Sequence, residues 1–194
     1  MKEKIKPQKK VELVTDKLYY GFPILLLGYR DEKHGYNYTT VSSSYTLDDM
    51  LVVGIWKFGC AIKQITSAGC FTVNVPSKAL MSEMEIGGLH SGANKFELAT
   101  GLTITKSEKI DAPIINECVL NIECEVVKVV ELEEFGDYCN IFAKIKGRFI
   151  DNQFQENGIL KRELLNPVFY LGDDEKRSYR YFDKQMNNFG DFSK

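Results

Sequence analysis

Two long stretches in the second half of the chain constrain the fold most. In residues 119–131, Leu120, Ile122, Cys124 and Val126 alternate with Asn121, Glu123 and Glu125. In residues 138–150, Ile141, Ala143 and Ile145 alternate with Phe142, Lys144 and Lys146. A period of two over such a length predicts two strands that each bury one face, with Glu123 and Glu125 on a solvated face. Residues 133–137 are charged, contain Gly136 and make the hairpin loop between them.

The first half supplies more strands. Residues 22–29 (FPILLLGY) read as a buried strand stopped by Arg30, Asp31, Glu32 and Lys33. Gly35 permits reversal. Residues 36–45 (YNYTTVSSSY) then predict a strand rich in Tyr, Thr and Val, and residues 50–56 (MLVVGIW) a third, so the three read as a meander. Cys60, Ala61, Ile62, Ile65 and Ala68 then recur at helical spacing, with Gly69 as the stop. Residues 71–75 form a strand ended by Pro76. Ser77 caps a helix carrying Leu80, Met81 and Met84, which Gly87 and Gly88 are expected to break. A helical turn is expected at 95–99 and a short extended piece at 102–105. The tail from Asp173 is charged and aromatic, and reads as either a terminal helix or a partner-clasping arm. The pattern as a whole is mainly β: an antiparallel barrel of Greek-key type with short helices. No repeat or low-complexity linker divides it. The expected organisation is an N-terminal arm (1–19), one domain (20–172) and a C-terminal extension (173–194).

Composition narrows the function classes. A net charge of −2 provides no general drive toward nucleic acid or acidic membrane surfaces. The first ten residues hold five lysines, but no sustained apolar stretch follows, so they read as a solvated arm rather than a targeting segment. The longest apolar runs are far short of a membrane span. The five cysteines, Cys60, Cys70, Cys118, Cys124 and Cys139, are odd in number, widely spaced and without a CxxC. That suggests reduced thiols and a cytoplasmic location. Cys60 is singled out because a helix N-terminus favours a thiolate. The G-x-S-x-G elbow fails around Ser91, which is flanked two residues away by Leu89 and Ala93. Two histidines, His34 and His90, and no Cys pair do not suggest a metal centre. No G-x-G-x-x-G follows a strand, so a built-in dinucleotide domain is not expected.

One segment, residues 90–124, carries a family likeness: Ser91-Gly92, Lys95-Phe96, Gly101-Leu102-Thr103, Ala112-Pro113, Glu117 and Ile122-Glu123-Cys124, in that order. With the upstream TTVSSSY, MLVVGIW and FTVNVPS, the chain resembles the flavin reductase-like proteins with an FMN-binding split barrel over residues 20 to 172. Within them it is similar to the flavoredoxin-like members. The resemblance implies a homodimer with FMN at the subunit interface, and either NAD(P)H-linked reduction of free flavin or a small acceptor, or electron transfer between proteins. The two classes to separate are thus an NAD(P)H-dependent reductase and a flavoredoxin-like carrier reduced by a partner protein.

An FMN site needs donors for the phosphate, flat walls for the ring and polar partners for the ring edge. The residues expected to serve are Thr39, Thr40, Val41, Ser42 and Ser43 along flavin and ribityl chain, and the strand-to-helix segment Trp56, Lys57, Phe58, Gly59, Cys60 and Ala61 at the phosphate. Ser91, Gly92 and Lys95 are expected in the covering loop. On the residues alone, the hydroxyl-rich strand is equally a solvent-facing edge strand. Asn74 reads more readily as a structural hydrogen-bonding residue than as a cofactor ligand. The family pattern near the helix start, S-R-x-T-like, is absent: Phe58, Gly59, Cys60 and Ala61 offer no hydroxyl. The phosphate is then left to backbone N–H groups and Lys57, or to Lys95 of the partner subunit. Hydride transfer to a flavin needs alignment more than acid–base groups, so no catalytic side chain is singled out.

Overall fold

In a computed structural model the described residues are 9–173 and 175–182. Seven strand segments form one antiparallel sheet that closes on itself. They are β2 (Leu25–Asp31), β3 (Gly35–Val41), β4 (Ser44–Leu47), β5 (Met50–Trp56), β6 (Cys70–Val75), β9 (Leu120–Glu131) and β10 (Tyr138–Ile150). Their order is β3-β2-β6-β9-β10-β5-β4. The stretch read as one strand over 36–45 thus serves both edges. Its first half, β3, pairs β2, and its second half, β4, pairs β5. The chain bends at Ser42-Ser43, where Ser43 O still accepts Gly54 N at 2.7 Å. The meander is realised, but the middle strand is broken, and that break splits the barrel.

The lumen is filled by alternate residues of these strands, among them Leu25, Leu27, Tyr29, Val53, Phe71, Ile122, Cys124, Ile141 and Ala143. Helix α1 (Cys60–Ala68) plugs one end with Ala61, Ile62 and Ile65. Gly69 closes it in the left-handed conformation (φ 69°), its N–H donating to Ile65 O at 2.9 Å. A second apolar layer lies outside the barrel. Ile24, Leu26 and Tyr38 face Leu80 and Met84, the latter on helix α2 (Met81–Leu89), and Ala99 beyond helix α3 (Lys95–Leu98). Residues 24–27 therefore bury both faces, which is why FPILLLGY lacks alternation.

Four sequence expectations are corrected. Residues 22–29 are not one strand: β1 (Leu18–Pro23) leaves the barrel to pair β13 (Phe169–Asp173), which pairs β14 (Arg177–Arg180) and follows the short hairpin of β11 (Gln155–Glu156) and β12 (Ile159–Leu160). The tail from Asp173 thus begins as a strand rather than a terminal helix. The remainder, 183–194, like residues 1–8 of the N-terminal arm, lies outside the described residues.

Gly87 and Gly88 do not break α2, which runs to Leu89. A Cβ on Gly87 would sit 2.7 Å from Tyr38 Cε2 and closer still to Thr40 Oγ1, so glycine is there to let the helix lie on β3. Gly87→Val is expected to lower the unfolding free energy by about 1–3 kcal/mol through overpacking. An open helical site would instead gain up to about 1 kcal/mol on losing a glycine. A urea midpoint equal to or above wild type would refute the packing role.

Finally, Glu123 is not solvated. It is 1% exposed, accepts Ser107 Oγ at 2.5 Å and lies 3.9 Å from Lys109 Nζ. The hairpin of β7 (Ile104–Lys106) and β8 (Pro113–Ile115) leads into the segment that covers it. The β9–β10 register shifts between Ile145 and Gly147, and side-chain-free Gly147 leaves room for the carboxylate. Glu125 remains paired with Lys146 at the surface.

Among the described residues, no helix is long and apolar enough to cross a membrane.

Candidate functional site

The barrel split opens onto a cavity of about 760 Å³, within the usual range for small-molecule sites. Three kinds of wall meet there. The bend between β3 and β4 supplies Thr39, Thr40, Val41, Ser42 and Ser43. The end of β5 and the start of α1 supply Trp56, Gly59, Cys60 and Ala61. The loop between α2 and α3 supplies Ser91, Gly92 and Lys95. Of the residues singled out by sequence, only Lys57 and Phe58 lie elsewhere. Lys57 Nζ donates to Gly136 O at 2.5 Å in the β9–β10 turn, and its ammonium sits 5.1 Å from the Phe58 ring centroid. The strand-end residue and the helix start face the cavity, while the two residues of the turn between them point away.

The hydroxyl-rich strand has two jobs. Tyr38 Oη donates to Glu83 O at 2.9 Å, and Thr40 Oγ1 to Met84 O at 2.7 Å, so these groups fasten α2 to the barrel. Ser42 and Ser43, at the bend, keep hydroxyls that bind no protein group among the described residues. Of the polar run, they are the unbonded hydroxyls whose residues line the cavity.

Lys95 carries the local charge. It is 3% exposed, its Nζ donates to Gly87 O at 2.8 Å and sits 5.9 Å from the Tyr38 ring centroid. Burial pushes its pKa down to about 8, against the opposing pull of Cys60 and Asp31. Two of its three N–H donors remain for a guest. Lys95 belongs to the same chain as the Gly59–Ala61 turn, so one subunit supplies both.

Asn37 sets the position of Lys95. This buried residue donates from Nδ2 to Ala93 O at 2.8 Å and to Asp31 Oδ2 at 3.2 Å. Its Oδ1 accepts the backbone N–H of Lys95 at 3.2 Å and its neighbour Tyr38 N at 3.0 Å. Asp31 Oδ1 in turn accepts Lys33 N and His34 N, both at 2.9 Å. These hydrogen bonds hold its carboxyl below the usual range, although burial acts as the largest single influence in the opposite sense. His34 Nε2 lies 3.3 Å from Gly92 O and adds a contact to the same loop.

Cys60 begins α1 and is exposed, whereas Cys70, Cys118, Cys124 and Cys139 are buried. Its helix has no side-chain cap, so the first-turn N–H groups are available at the cavity. Gly92 has φ +73° and lies against this turn: a Cβ there would be 3.5 Å from Cys60 Sγ. Glycine at 59 and 92 thus leaves backbone exposed on two sides of one pocket.

The sequence pattern of the flavin reductase like domain matches residues 19–173. The chain belongs to the flavin reductase-like family. Family membership makes it a flavin-related oxidoreductase or electron carrier. A protein of Bacillus subtilis strain 168 is 28% identical over 166 residues, covering 77% of this chain and 78% of that one. An Archaeoglobus fulgidus protein is 44% identical over 83 residues, covering 42% and 45%. Among solved structures, a flavoredoxin from Methanosarcina acetivorans superposes with a TM-score of 0.83 at 23% identity, covering 96% of this chain and 98% of that one. The flavoredoxin of Desulfovibrio vulgaris (Miyazaki F) gives 0.83 at 22%, covering 96% and 100%. At those identities the likeness shows the split-barrel fold.

Several cavity residues of this flavin reductase-like chain carry no sequence signal of their own. Tyr29 is 1% exposed, yet it lines the cavity from within the barrel. Burial and nearby Asp31 push its phenol up, so it stays a neutral donor. Leu132, Phe135 and Tyr138 come from the β9–β10 hairpin to form a rim with Trp56, opposite in the register to Tyr138. Only the hairpin pairing brings them there.

Proposed function

We propose that the chain is an FMN-dependent oxidoreductase that passes electrons from NAD(P)H to free flavin or a small acceptor. The observation that carries this is the chemical grading of one cavity. Trp56, Tyr138 and the rim supply flat apolar wall; Ser42 and Ser43 supply hydroxyls; the α1 start, Ser91, Gly92 and Lys95 form an anion end. The residues fit FMN: its phosphate at the anion end, its ring edge at the hydroxyls. When bound, the flavin supplies hydride acceptance and one- or two-electron transfer. The chain's own share is to orient the ring, present donors to its edge, and neutralise the phosphate with Lys95 while Asn37 holds the loop.

The exposed rim of Trp56, Leu132, Phe135 and Tyr138 fits a homodimer that covers the mouth. Sedimentation should then give twice the 22.1 kDa chain mass.

Two measurements test the reading. Purified protein should take up FMN in preference to riboflavin, and NADH or NADPH should rapidly bleach the flavin band. Reduction only by a partner protein would favour the carrier, a flavoredoxin-like role. A preparation that takes up no FMN would remove both. The Ser42→Ala/Ser43→Ala double variant should bind FMN about 5- to 150-fold more weakly, for two lost hydrogen bonds of about 0.5–1.5 kcal/mol each. Unchanged affinity, read by flavin fluorescence titration, would take the ring edge away from these hydroxyls.

A further inference from the structure

A second cavity, of about 470 Å³, adjoins the first and shares Tyr19, Thr40, Val41, Ser42 and Gly88 with it. Its outer wall is the β1–β13–β14 sheet. Tyr19 and Tyr170 meet edge to face with ring centroids 5.4 Å apart, and Tyr170 and Tyr179 are 5.2 Å apart at 56°. The floor is apolar, with Ile24, Met84 and Leu89. Tyr179 Oη donates to Glu85 Oε1 at 3.1 Å, which fixes the tyrosine and occupies that carboxylate.

Arg177 is the cation of this lining, and Glu85 its anion, held at the Tyr179 end of the tyrosine row. Its guanidinium lies 6.0 Å from the Tyr19 ring centroid and makes no ion pair among the described residues. The neighbouring acid, Asp173, is engaged in its own turn, accepting Glu175 N at 3.0 Å and Lys176 N at 2.9 Å. A tyrosine wall, an apolar floor and, at the Tyr19 end, a guanidinium with no ion pair among the described residues match a flat ring with an anionic substituent. Contact with the first cavity through residues 40–42 puts such a guest beside the proposed flavin.

We propose that this second cavity binds the second reactant: a planar aromatic molecule carrying an anionic group, its ring on the tyrosines and its charge on Arg177. The word reactant rests on the FMN reading; the binding site does not.

The test uses two probes of one shape, 2-naphthoate and 2-naphthamide, titrated by calorimetry into the full chain with and without FMN. The carboxylate should bind about fivefold more tightly than the amide, the worth of one exposed charge pair. It should bind with FMN in place and perturb the flavin absorption band. Arg177→Gln should abolish that preference and leave the affinities for FMN and 2-naphthamide unchanged. Competition by NADH would identify the anionic ring as part of a dinucleotide; indifference to NADH would identify a separate aromatic acid. The proposal falls if neither probe binds, if R177Q keeps the preference, or if 2-naphthoate displaces FMN. Failure to bind FMN would remove the oxidoreductase reading alone, since the probe preference is also read on protein without flavin.

Discussion

Lys95→Met is expected to weaken FMN binding about 10- to 100-fold at pH 7, since a buried charge-assisted contact contributes about 1.5–3 kcal/mol. Riboflavin, which has no phosphate, should lose no more than about threefold for the altered packing. The ratio of the two affinities isolates the anion contact from general damage. The same lysine gives binding a pH signature. With its pKa pushed down to about 8 in the free protein, Lys95 is charged at pH 7 and loses its proton as pH rises. FMN affinity should therefore fall through pH 8 to 9.5 in wild type and stay flat in the Met variant. Stability of the flavin-free protein should move the other way. The unfolded chain keeps the Lys95 proton to about pH 10.4 and the folded chain only to about 8. The unfolded state then binds more protons in that window, so this residue's contribution to stability rises with pH. Equal losses for FMN and riboflavin in the Met variant, or a pH-independent wild type, would take the phosphate away from Lys95.

Asn74→Leu is expected to cost about 3–5 kcal/mol, the sum of several buried groups left without partners. Asn74 is fully buried and its amide is used on both sides. Nδ2 donates to Leu26 O and Thr72 Oγ1, each at 3.0 Å. Oδ1 accepts Ile115 N at 3.0 Å and Asn121 Nδ2 at 2.8 Å. One side chain thus ties β2, β6, β8 and β9 together where the outer hairpin docks on the barrel. Leucine fills the volume and takes a partner from all four groups; Thr72 Oγ1 keeps Pro113 O and Asn121 Nδ2 keeps Ile115 O, while Leu26 O and Ile115 N lose their side-chain partner. At about 2–4 °C per kcal/mol for a chain of this size, the melting temperature should fall by about 10 °C. Asn74 does not line the cavity proposed for FMN, so FMN affinity at low temperature should be that of wild type. A Tm within about 2 °C of wild type would mean that solvent or relaxation replaces the network.

The two variants mark different depths of legibility. Asn74 was readable as structural because an Asn inside a strand must satisfy its amide with nearby backbone. Lys95 was readable as a charge in a loop over a cofactor, but not as a buried lysine: its depth depends on Gly87, Asn37 and Tyr38, which sequence spacing does not bring together. Glu123 shows the same limit in reverse. Its alternation with Ile122 and Cys124 indicates an outward face, and only the segment following β7 turns that face into an interior.

Period and breaker residues determined the barrel strands, because alternation and turn chemistry act within a few residues of one another. The ordered motifs of residues 90–124 determined the family. The tertiary structure alone decided how the hydroxyl-rich strand divides its work. Thr40 is tied to α2, whereas Ser42 and Ser43 face the cavity, since the strand bends where its partner changes from β2 to β5. It also decided that Gly87 and Gly88 continue a helix, since what a glycine does there depends on the Tyr38 ring packed beneath it. Long-range contacts of this kind leave no local periodicity, and they are what place the anion end of the cavity beside its aromatic wall.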